Sequence, residues 1–432
     1  MRKLAIGNVI KSDFVKKRAR RGASCVGGMA LVFCLGATSA SATTESVLFR
    51  FSGGATGSMP YAGLIADAAG NLYGTTPKGG SGKGVIFELT PPTSNGGSWT
   101  ETTLYKFTGG SDGSVPYAGL LFDSKGNLYG TTSAGGKKNN GVIFELSPPA
   151  SPGGAWSESA VYKFSGGADG SAPHAGLIAD KSGNLYGTTV KGGSNGNGVV
   201  FELSPPATPG GSWSETVLNK FTGGSSGGTP YSGLIADAAG NLYGTATAGG
   251  INGNGVVFKL APPAAPGGSW TETALHQFTG APDGSAPYAG LVADSAGNLY
   301  GTAIKGGASG HGVVFKLAAP TPDGAWAETV IETFPGGAQG AVPYAGLILD
   351  SSGNLYGTTQ KGGISGNGTV FKLVAPTTPG GKWTETVLYK FNGGSAGSAP
   401  YAGLLVDKSG NLYGTTTKGG TVNNGVAYEV QP

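Results

Sequence analysis

The residues of this chain best suited to binding are an aromatic and a lysine that recur together. The aromatic follows a proline, and its copies are Tyr61, Tyr117, His174, Tyr231, Tyr288, Tyr344 and Tyr401. The lysine precedes Gly-Gly 17 residues later, as Lys78, Lys191, Lys305, Lys361 and Lys418, with Ala134 and Ala248 in the other two copies. Aromatic faces suit sugar rings and ammonium groups suit anionic polymers, so the two series predict a glycan-binding surface. The alternative is that the aromatics pack between repeats and the lysines are merely solvated.

Two carboxylate series could in principle supply acid and base groups. One occurs in Asp-x-x-Gly-Asn, as Asp67, Asp123, Asp180, Asp237, Asp294, Asp350 and Asp407. The other comprises Glu45, Glu101, Glu158, Glu215, Glu272, Glu328 and Glu385. One catalytic centre needs each group once, so seven copies favour structural roles. We expect the aspartates to bond tight turns and the glutamates to take part in cross-strand pairs.

Metal and nucleophile chemistry have little support in the sequence. Asp112, Asp169 and Asp283 occur in Gly-rich loops, but these loops lack the ligand number of a calcium site and read as turns. The three histidines are scattered: we expect His276 in an outer strand, far from the axis, and His174 and His311 on the candidate face but in units two apart. There is no phosphate loop or His-rich motif. The sequence therefore predicts no cofactor, no metal and no catalytic residue.

A sevenfold repeat must position these residues. The repeated aspartates are separated by 56 or 57 residues, a period typical of units that bury their apolar faces against neighbours. Within the first unit, four strands are predicted at residues 61–67, 71–76, 84–89 and 99–107, each bounded by turn-forming residues. The first is rich in Ala and Gly and suits the innermost position, the strand that follows Trp99 suits the outer rim, and Gly74 indicates a close neighbour.

The two ends of the repeat region indicate a closed ring. The last unit lacks its fourth strand, whereas residues 45–51 match the fourth strand of the first unit, residues 101–107, ahead of any complete unit. Pairing of this N-terminal strand with the last unit would remove an open sheet edge. The sequence predicts an all-β fold: a seven-bladed β-propeller with four antiparallel strands per blade, formed by residues 43–432.

Residues 1–42 are predicted to be a signal peptide. A basic segment precedes an apolar run, and Ala40-Ser41-Ala42 offers a cleavage site, so we expect a secreted or periplasmic protein. Retention as a membrane anchor, twin-arginine export and lipidation at Cys34 are alternatives. Both cysteines, Cys25 and Cys34, lie in this segment, as do eight of the 28 basic residues and one of the 24 acidic ones. Residues 43–432 thus have no disulfide and a net charge near −3, which argues against a nucleic-acid partner.

The repeated phrase Gly-Leu-Ile-x-Asp-x-x-Gly-Asn-Leu-Tyr-Gly-Thr-Thr-x-x-Gly-Gly, followed by Gly-Val-Val-Phe-Glu-Leu, resembles the GloVer tandem repeat of exported bacterial proteins. The resemblance covers residues 43–432, and the first half of the phrase is also similar to NHL-type propeller repeats. It implies an exported repeat protein but brings no activity or catalytic residues. Many relatives end in an anchoring segment, whereas this chain ends within its last unit, which favours release.

The favoured hypothesis is a non-enzymatic, monomeric propeller that binds a glycan or another envelope or matrix component through loops on one face, without stable membrane insertion. Two alternatives stay open. One is a metal-assisted lyase or hydrolase that uses loops of a few divergent units, and the other is a structural spacer without a small ligand.

Overall fold

A computed structural model describes residues 43–94, 96–151, 153–208, 210–265, 267–320, 325–378 and 380–432. The predicted signal peptide lies outside these residues. The described chain forms seven four-stranded antiparallel sheets, which confirms the predicted propeller. Blades 1 to 6 take four consecutive strands each, from β2–β5 to β22–β25, and blade 7 takes β26–β28 together with β1. Among the described residues, no helix has the length and apolar character needed to cross a membrane.

The strands fall into four classes, from the axis outward. The innermost strands are β2 (Ile65–Ala66), β6 (Leu121–Phe122), β10 (Ile178–Ala179), β14 (Ile235–Ala236), β18 (Val292–Ala293), β22 (Ile348–Leu349) and β26 (Leu405–Val406). The second strands are β3 (Leu72–Thr76), β7 (Leu128–Thr132), β11 (Leu185–Thr189), β15 (Leu242–Ala246), β19 (Leu299–Ala303), β23 (Leu355–Thr359) and β27 (Leu412–Thr416). The third strands are β4 (Val85–Thr90), β8 (Val142–Ser147), β12 (Val199–Ser204), β16 (Val256–Ala261), β20 (Val313–Ala318), β24 (Thr369–Val374) and β28 (Val426–Gln431). The outer strands are β5 (Thr100–Lys106), β9 (Ser157–Lys163), β13 (Ser214–Lys220), β17 (Thr271–Gln277), β21 (Ala327–Thr333), β25 (Thr384–Lys390) and β1 (Thr44–Arg50). Short 3-10 turns occur at Gly54–Thr56, Gly337–Gln339 and Gly394–Ala396.

The core lies between blades. In β4, Val85, Ile86 and Phe87 are consecutive and fully buried, because each face of the sheet is covered by a neighbouring blade. Phe87 packs against Phe51 of blade 7, and Ile86 packs with Phe107 toward blade 2. Repetition of this arrangement gives seven similar clusters rather than one central core, as expected when a unit cannot bury its apolar face alone.

The innermost strands are shorter than predicted. The sequence predicted a strand over residues 61–67, but only Ile65–Ala66 pairs with β3. The preceding residues leave the sheet to approach the axis. There, a Cβ placed on Gly63 would lie 3.3 Å from the carbonyl oxygen of Gly403 in blade 7. Crowding around the axis, rather than strand pairing, therefore determines this segment.

Ring closure has the predicted form. β1 pairs antiparallel with β28, from Thr44 opposite Gln431 to Arg50 opposite Val426. Each second strand also donates a threonine hydroxyl to a carbonyl of the next blade, as in Thr75 to Ala118 at 2.9 Å. At the junction between the last and first blades, Thr415 donates to the carbonyl of Ala62 at 3.2 Å. The junction is thus bonded like the other blade interfaces.

Candidate functional site

The two predicted binding loops share one face of the propeller. One loop joins an outer strand to the next inner strand and carries the Pro-Tyr motif, and the other joins the second and third strands and carries Lys-Gly-Gly. Antiparallel backbone bridges join the loops in every blade, from Ser58 with Lys78 to Ser398 with Lys418. We call the surface formed by these fourteen loops the upper face. The structure thus brings the two loop series together.

The seven aromatics form a closed ring around the axis. Neighbouring ring centroids lie 4.8 to 5.3 Å apart throughout, including Tyr401 with Tyr61 across the junction. Most pairs are tilted or edge-to-face, whereas Tyr117 and His174 stack at an interplanar angle of 15°. Each aromatic is half-buried and contacts two others. The ring therefore surrounds the axis, and each aromatic packs against its two neighbours.

The ring residues also influence one another electrostatically. Burial raises the pKa of Tyr401 to about 12, and the hydroxyls of Tyr344 and Tyr61 add to the shift. Burial raises the pKa of Tyr61, and Tyr117 and Tyr344 add to the shift. Burial and the nearby Lys191 lower the pKa of His174 to about 4. At neutral pH the axial cluster is therefore uncharged.

The repeated lysines surround this neutral centre. Lys78, Lys191, Lys305, Lys361 and Lys418 are all exposed. Lys191 lies close enough to His174 to lower its pKa. Gln360, which precedes Lys361, donates its side-chain amide to the Tyr401 hydroxyl of the next blade at 2.6 Å. The lysine loop of one blade therefore lies beside the aromatic of its neighbour.

Charge is distributed unevenly between the faces. Besides the five repeated lysines, the upper-face loops carry three more exposed ones, Lys83, Lys137 and Lys138. Their only acids are Asp112, Asp169 and Asp283. These loops therefore hold eight of the 20 basic residues in 43–432 but three of the 23 acidic ones. Residues 43–432, whose net charge is near −3, thus present a basic face.

The three acids of the upper face are already engaged. Asp112 accepts hydrogen bonds from the backbone and hydroxyl of Thr108, both at 2.7 Å, and from Tyr105 at 3.1 Å. Burial opposes ionisation of Asp169, but hydrogen bonds from Ser165 outweigh it and lower the pKa of this carboxyl. This confirms the predicted turn role and leaves the lysines of the upper face without exposed acidic partners in its loops.

The Asp-x-x-Gly-Asn aspartates also serve turns, as predicted. Asp67 accepts hydrogen bonds from the backbone amides of Ala69 and Asn71 and from the Asn71 side chain, at 2.8 to 2.9 Å. The Tyr73 hydroxyl also donates to Asp67, at 3.1 Å. These turns lie on the opposite face from the aromatic ring, since successive turns of a meander alternate between faces. Their carboxylates are occupied by the fold.

The repeated glutamates lie at the interfaces between blades. The predicted cross-strand pairs are present, Glu101 with Leu89 and Glu158 with Leu146, but the leucines offer no polar partner. The side chains instead reach the neighbouring blade: Tyr389 of blade 6 donates to Glu45 at 3.3 Å. Six of the seven have a buried carboxyl oxygen without a hydrogen-bond partner, namely Glu45, Glu158, Glu215, Glu272, Glu328 and Glu385. Sequence reasoning missed these interfaces, because strand periodicity identifies a face but not the residues of the next blade.

The divergent interface between blades 4 and 5 contains a histidine. His276 lies on the outer strand, as predicted, with Nε2 3.2 Å from Asp283. Burial lowers the pKa of His276, while Asp283 opposes the shift. Within the described ranges, no group of three His, Cys, Asp or Glu side chains has a geometry that could hold a metal ion.

A groove of about 930 Å³ lies between blades 5 and 6 on the outer side. Tyr300 and Trp383 form its aromatic wall, with ring centroids 6.0 Å apart, and Lys316 and Glu332 also line it. Tyr300 is 5% exposed, so the wall offers little free aromatic surface. None of the predicted site residues lies in this groove.

Structural comparison shows a likeness of fold alone. The chain is similar to an ancestral GH74 enzyme, with 13% identity, a TM-score of 0.56, and coverage of 89% of this chain and 51% of that one. It is also similar to a polysaccharide lyase, with 11% identity, a TM-score of 0.49, and coverage of 89% and 92%. A putative oxidoreductase (glucose dehydrogenase) from Thermus thermophilus has 17% identity and a TM-score of 0.42, with coverage of 73% and 96%. No curated protein matches the chain in sequence.

A family model covers the repeat region in overlapping segments. The model described as the Gloeobacter/Verrucomicrobia repeat matches residues 26–209, 100–271, 151–323 and 264–432. These matches span every blade and confirm the resemblance seen in the repeated phrase. The chain therefore belongs to the Gloeobacter/Verrucomicrobia repeat family.

Proposed function

We propose that this protein is an exported, non-enzymatic propeller that binds an anionic glycan through its upper face. The observation that carries the proposal is the set of eight exposed lysines on loops whose only acids are held by hydrogen bonds within their own turns. The closed aromatic ring favours an anionic glycan over a neutral one, because its members contact one another instead of offering free faces. Exposed lysines each bind weakly, so affinity would come from several blades engaging one polymer.

The test compares two matched triple variants. Lys191, Lys305 and Lys361 changed together to Ala should lower affinity for a polyuronate, while the fold is unchanged. The control changes Lys125, Lys181 and Lys408 to Ala, which removes the same charge from exposed turns of the opposite face. Binding is measured by calorimetry at low and high salt, with a neutral glucan in parallel. High salt should weaken polyuronate binding by the wild type, because it screens the lysines. The affinity of the upper-face variant should depend less on salt than that of the wild type.

Two outcomes would contradict the proposal. One is an equal loss of binding in both triple variants, which would reflect net charge and not the upper face. The other is preferential binding of the neutral glucan that is lost in Tyr344→Phe. This variant preserves ring packing but removes one hydroxyl of the axial cluster, and its effect would place a neutral sugar at the axis.

A further inference from the structure

The upper face carries a second feature that an anionic glycan does not require. Three of the most exposed aliphatic side chains stand on loops between second and third strands: Ile251 is 83% exposed, Ile364 is 70% exposed and Val422 is 55% exposed. They belong to blades 4, 6 and 7 and follow the Gly-Gly pair directly or by one residue. Exposed aliphatic residues scattered singly need no explanation, but a set on equivalent loops of one face does.

The repeat itself shows that the fold does not need these side chains. At the position of Ile251 and Ile364, blades 1 and 3 have Ser81 and Ser194, and blade 2 has Lys137. The backbone amide of Ile251 donates to the side chain of Gln277 at 2.8 Å, which holds the loop against its outer strand. The aliphatic group therefore projects from an anchored loop and makes no contribution to the core.

From this arrangement we infer that the upper face docks reversibly on an anionic lipid bilayer, with Ile251, Ile364 and Val422 entering the boundary between headgroups and acyl chains. Peripheral membrane binding combines buried apolar area with attraction of cations to anionic headgroups. We call these three side chains the aliphatic tips. They stand next to lysine loops: Lys361 lies three residues from Ile364, and Lys418 lies four residues from Val422.

A bilayer fits this surface better than a protein partner does. Protein interfaces bury a contiguous apolar centre inside a polar rim. On the upper face the tips belong to separate blades, whereas the axis between them is occupied by the aromatic ring. A bilayer is fluid, so each aliphatic tip can enter it separately, without a partner surface of complementary shape. The eight lysines and the engaged acids of this face complement anionic headgroups, and the opposite face carries the turn aspartates.

Docking on a bilayer and the proposed glycan binding use the same lysines, but only docking requires the aliphatic tips. The experiment is sedimentation with vesicles of phosphatidylcholine, with and without phosphatidylglycerol. Wild-type protein should bind the anionic vesicles. Ile251→Ser with Ile364→Ser introduces the residue found in blades 1 and 3, and each substitution should lower vesicle partitioning by about tenfold. Binding of free polyuronate should be unchanged in this double variant.

The control is Val374→Ser with Val406→Ser, two aliphatic residues 39% and 38% exposed at the opposite face, which should partition like the wild type. Failure of the wild type to bind anionic vesicles would overturn the inference, and so would equal binding by the Ile251 and Ile364 double variant. A shift in oligomeric state caused by this variant without vesicles would assign the tips to a second copy and also overturn it. Vesicle binding without polyuronate binding would instead remove the proposed glycan function.

Discussion

The buried glutamates between blades predict that the propeller is more stable in mild acid than in mild alkali. Burial raises the pKa of Glu158, Glu215 and Glu328 to about 7, and the nearby Asp112, Asp169 and Asp283 respectively add to the shift. Burial alone raises the pKa of Glu272 to about 7. In Glu385, burial and then Glu332 raise the pKa to about 7. The unfolded-state value is 4.5.

The direction of the effect follows from these values. A carboxyl whose pKa is higher in the folded state binds its proton more tightly there, so protonation favours folding. This contribution is complete below pH 4.5 and is lost as the pH rises through about 7. Each pKa unit corresponds to about 1.4 kcal/mol, but the side chains are half-buried and solvent screening reduces the contribution to about 1 kcal/mol per group.

The measurement is the unfolding midpoint, Tm, by circular dichroism between pH 5 and pH 8.5. Five glutamates at about 1 kcal/mol each, less about 1 kcal/mol for His174, whose lowered pKa opposes the trend below pH 6.5, should lower Tm by about 5 °C over this range, because a domain of this size has a large unfolding entropy. Changing Glu158, Glu215 and Glu328 together to Gln removes the three titrating groups that face aspartates. This variant should lose more than half of the pH dependence and should be more stable than the wild type at pH 8.5.

A Tm that is constant or rises from pH 5 to pH 8.5 would refute the reasoning. So would a triple variant that retains the full slope, because general charge repulsion would then account for the pH dependence. The range stops at pH 5 since turn carboxyls such as Asp294 and Asp350 begin to protonate in stronger acid. Burial opposes ionisation of both, but hydrogen bonds from Asn298 and Asn354 respectively outweigh it and lower their pKa.

Two further predictions concern the scaffold. Deletion of residues 43–52 removes β1 and exposes the edge of β28, so Tm should fall and concentration-dependent association should appear in light scattering; unchanged stability would contradict closure of the ring by β1. Gly74→Ala would place a Cβ 2.5 Å from the buried ring of Phe87 and should lower unfolding free energy by about 1 to 3 kcal/mol in denaturant titration. Gly119→Ala is the control, because its Cβ would meet only a carbonyl oxygen at 3.7 Å, and equal losses in both variants would disprove the steric explanation.

Much of the fold could be predicted because each sequence pattern that indicates a strand or a turn recurs in all seven units. The period predicted the number of blades, the match between residues 45–51 and 101–107 predicted the closing strand, and Asp-x-x-Gly-Asn predicted the turns. The inner strand was predicted too long, because alternation along Tyr61-Ala-Gly-Leu is compatible with a strand. The limit imposed by the axis arises from Gly63 meeting Gly403, residues 340 positions apart in the chain.

The candidate site was harder to predict, because its contacts also join residues of different blades that are far apart in the chain. Sequence reasoning placed the aromatics and lysines on one face and kept packing of the aromatics between repeats as an alternative, but it did not predict a closed ring in which Tyr61 contacts Tyr401. Contacts between blades depend on how seven sheets turn about a common axis, and no local pattern encodes that angle. The glutamate environment was missed in the same way, since the residues near Glu158 are Tyr105 and Asp112 of the preceding blade.

Positions that repeat and positions that vary have different roles in this ring. Hydroxyl bonds such as that from Thr75 to Ala118 must recur at every interface, because one weak interface would open the ring. The residue after Gly-Gly is free of that constraint, and it is lysine in blade 2 and isoleucine in blades 4 and 6. Variation at this position makes the upper face of a sevenfold scaffold asymmetric. A partner that lies across the whole face can therefore be held in one orientation, which seven identical loops could not specify.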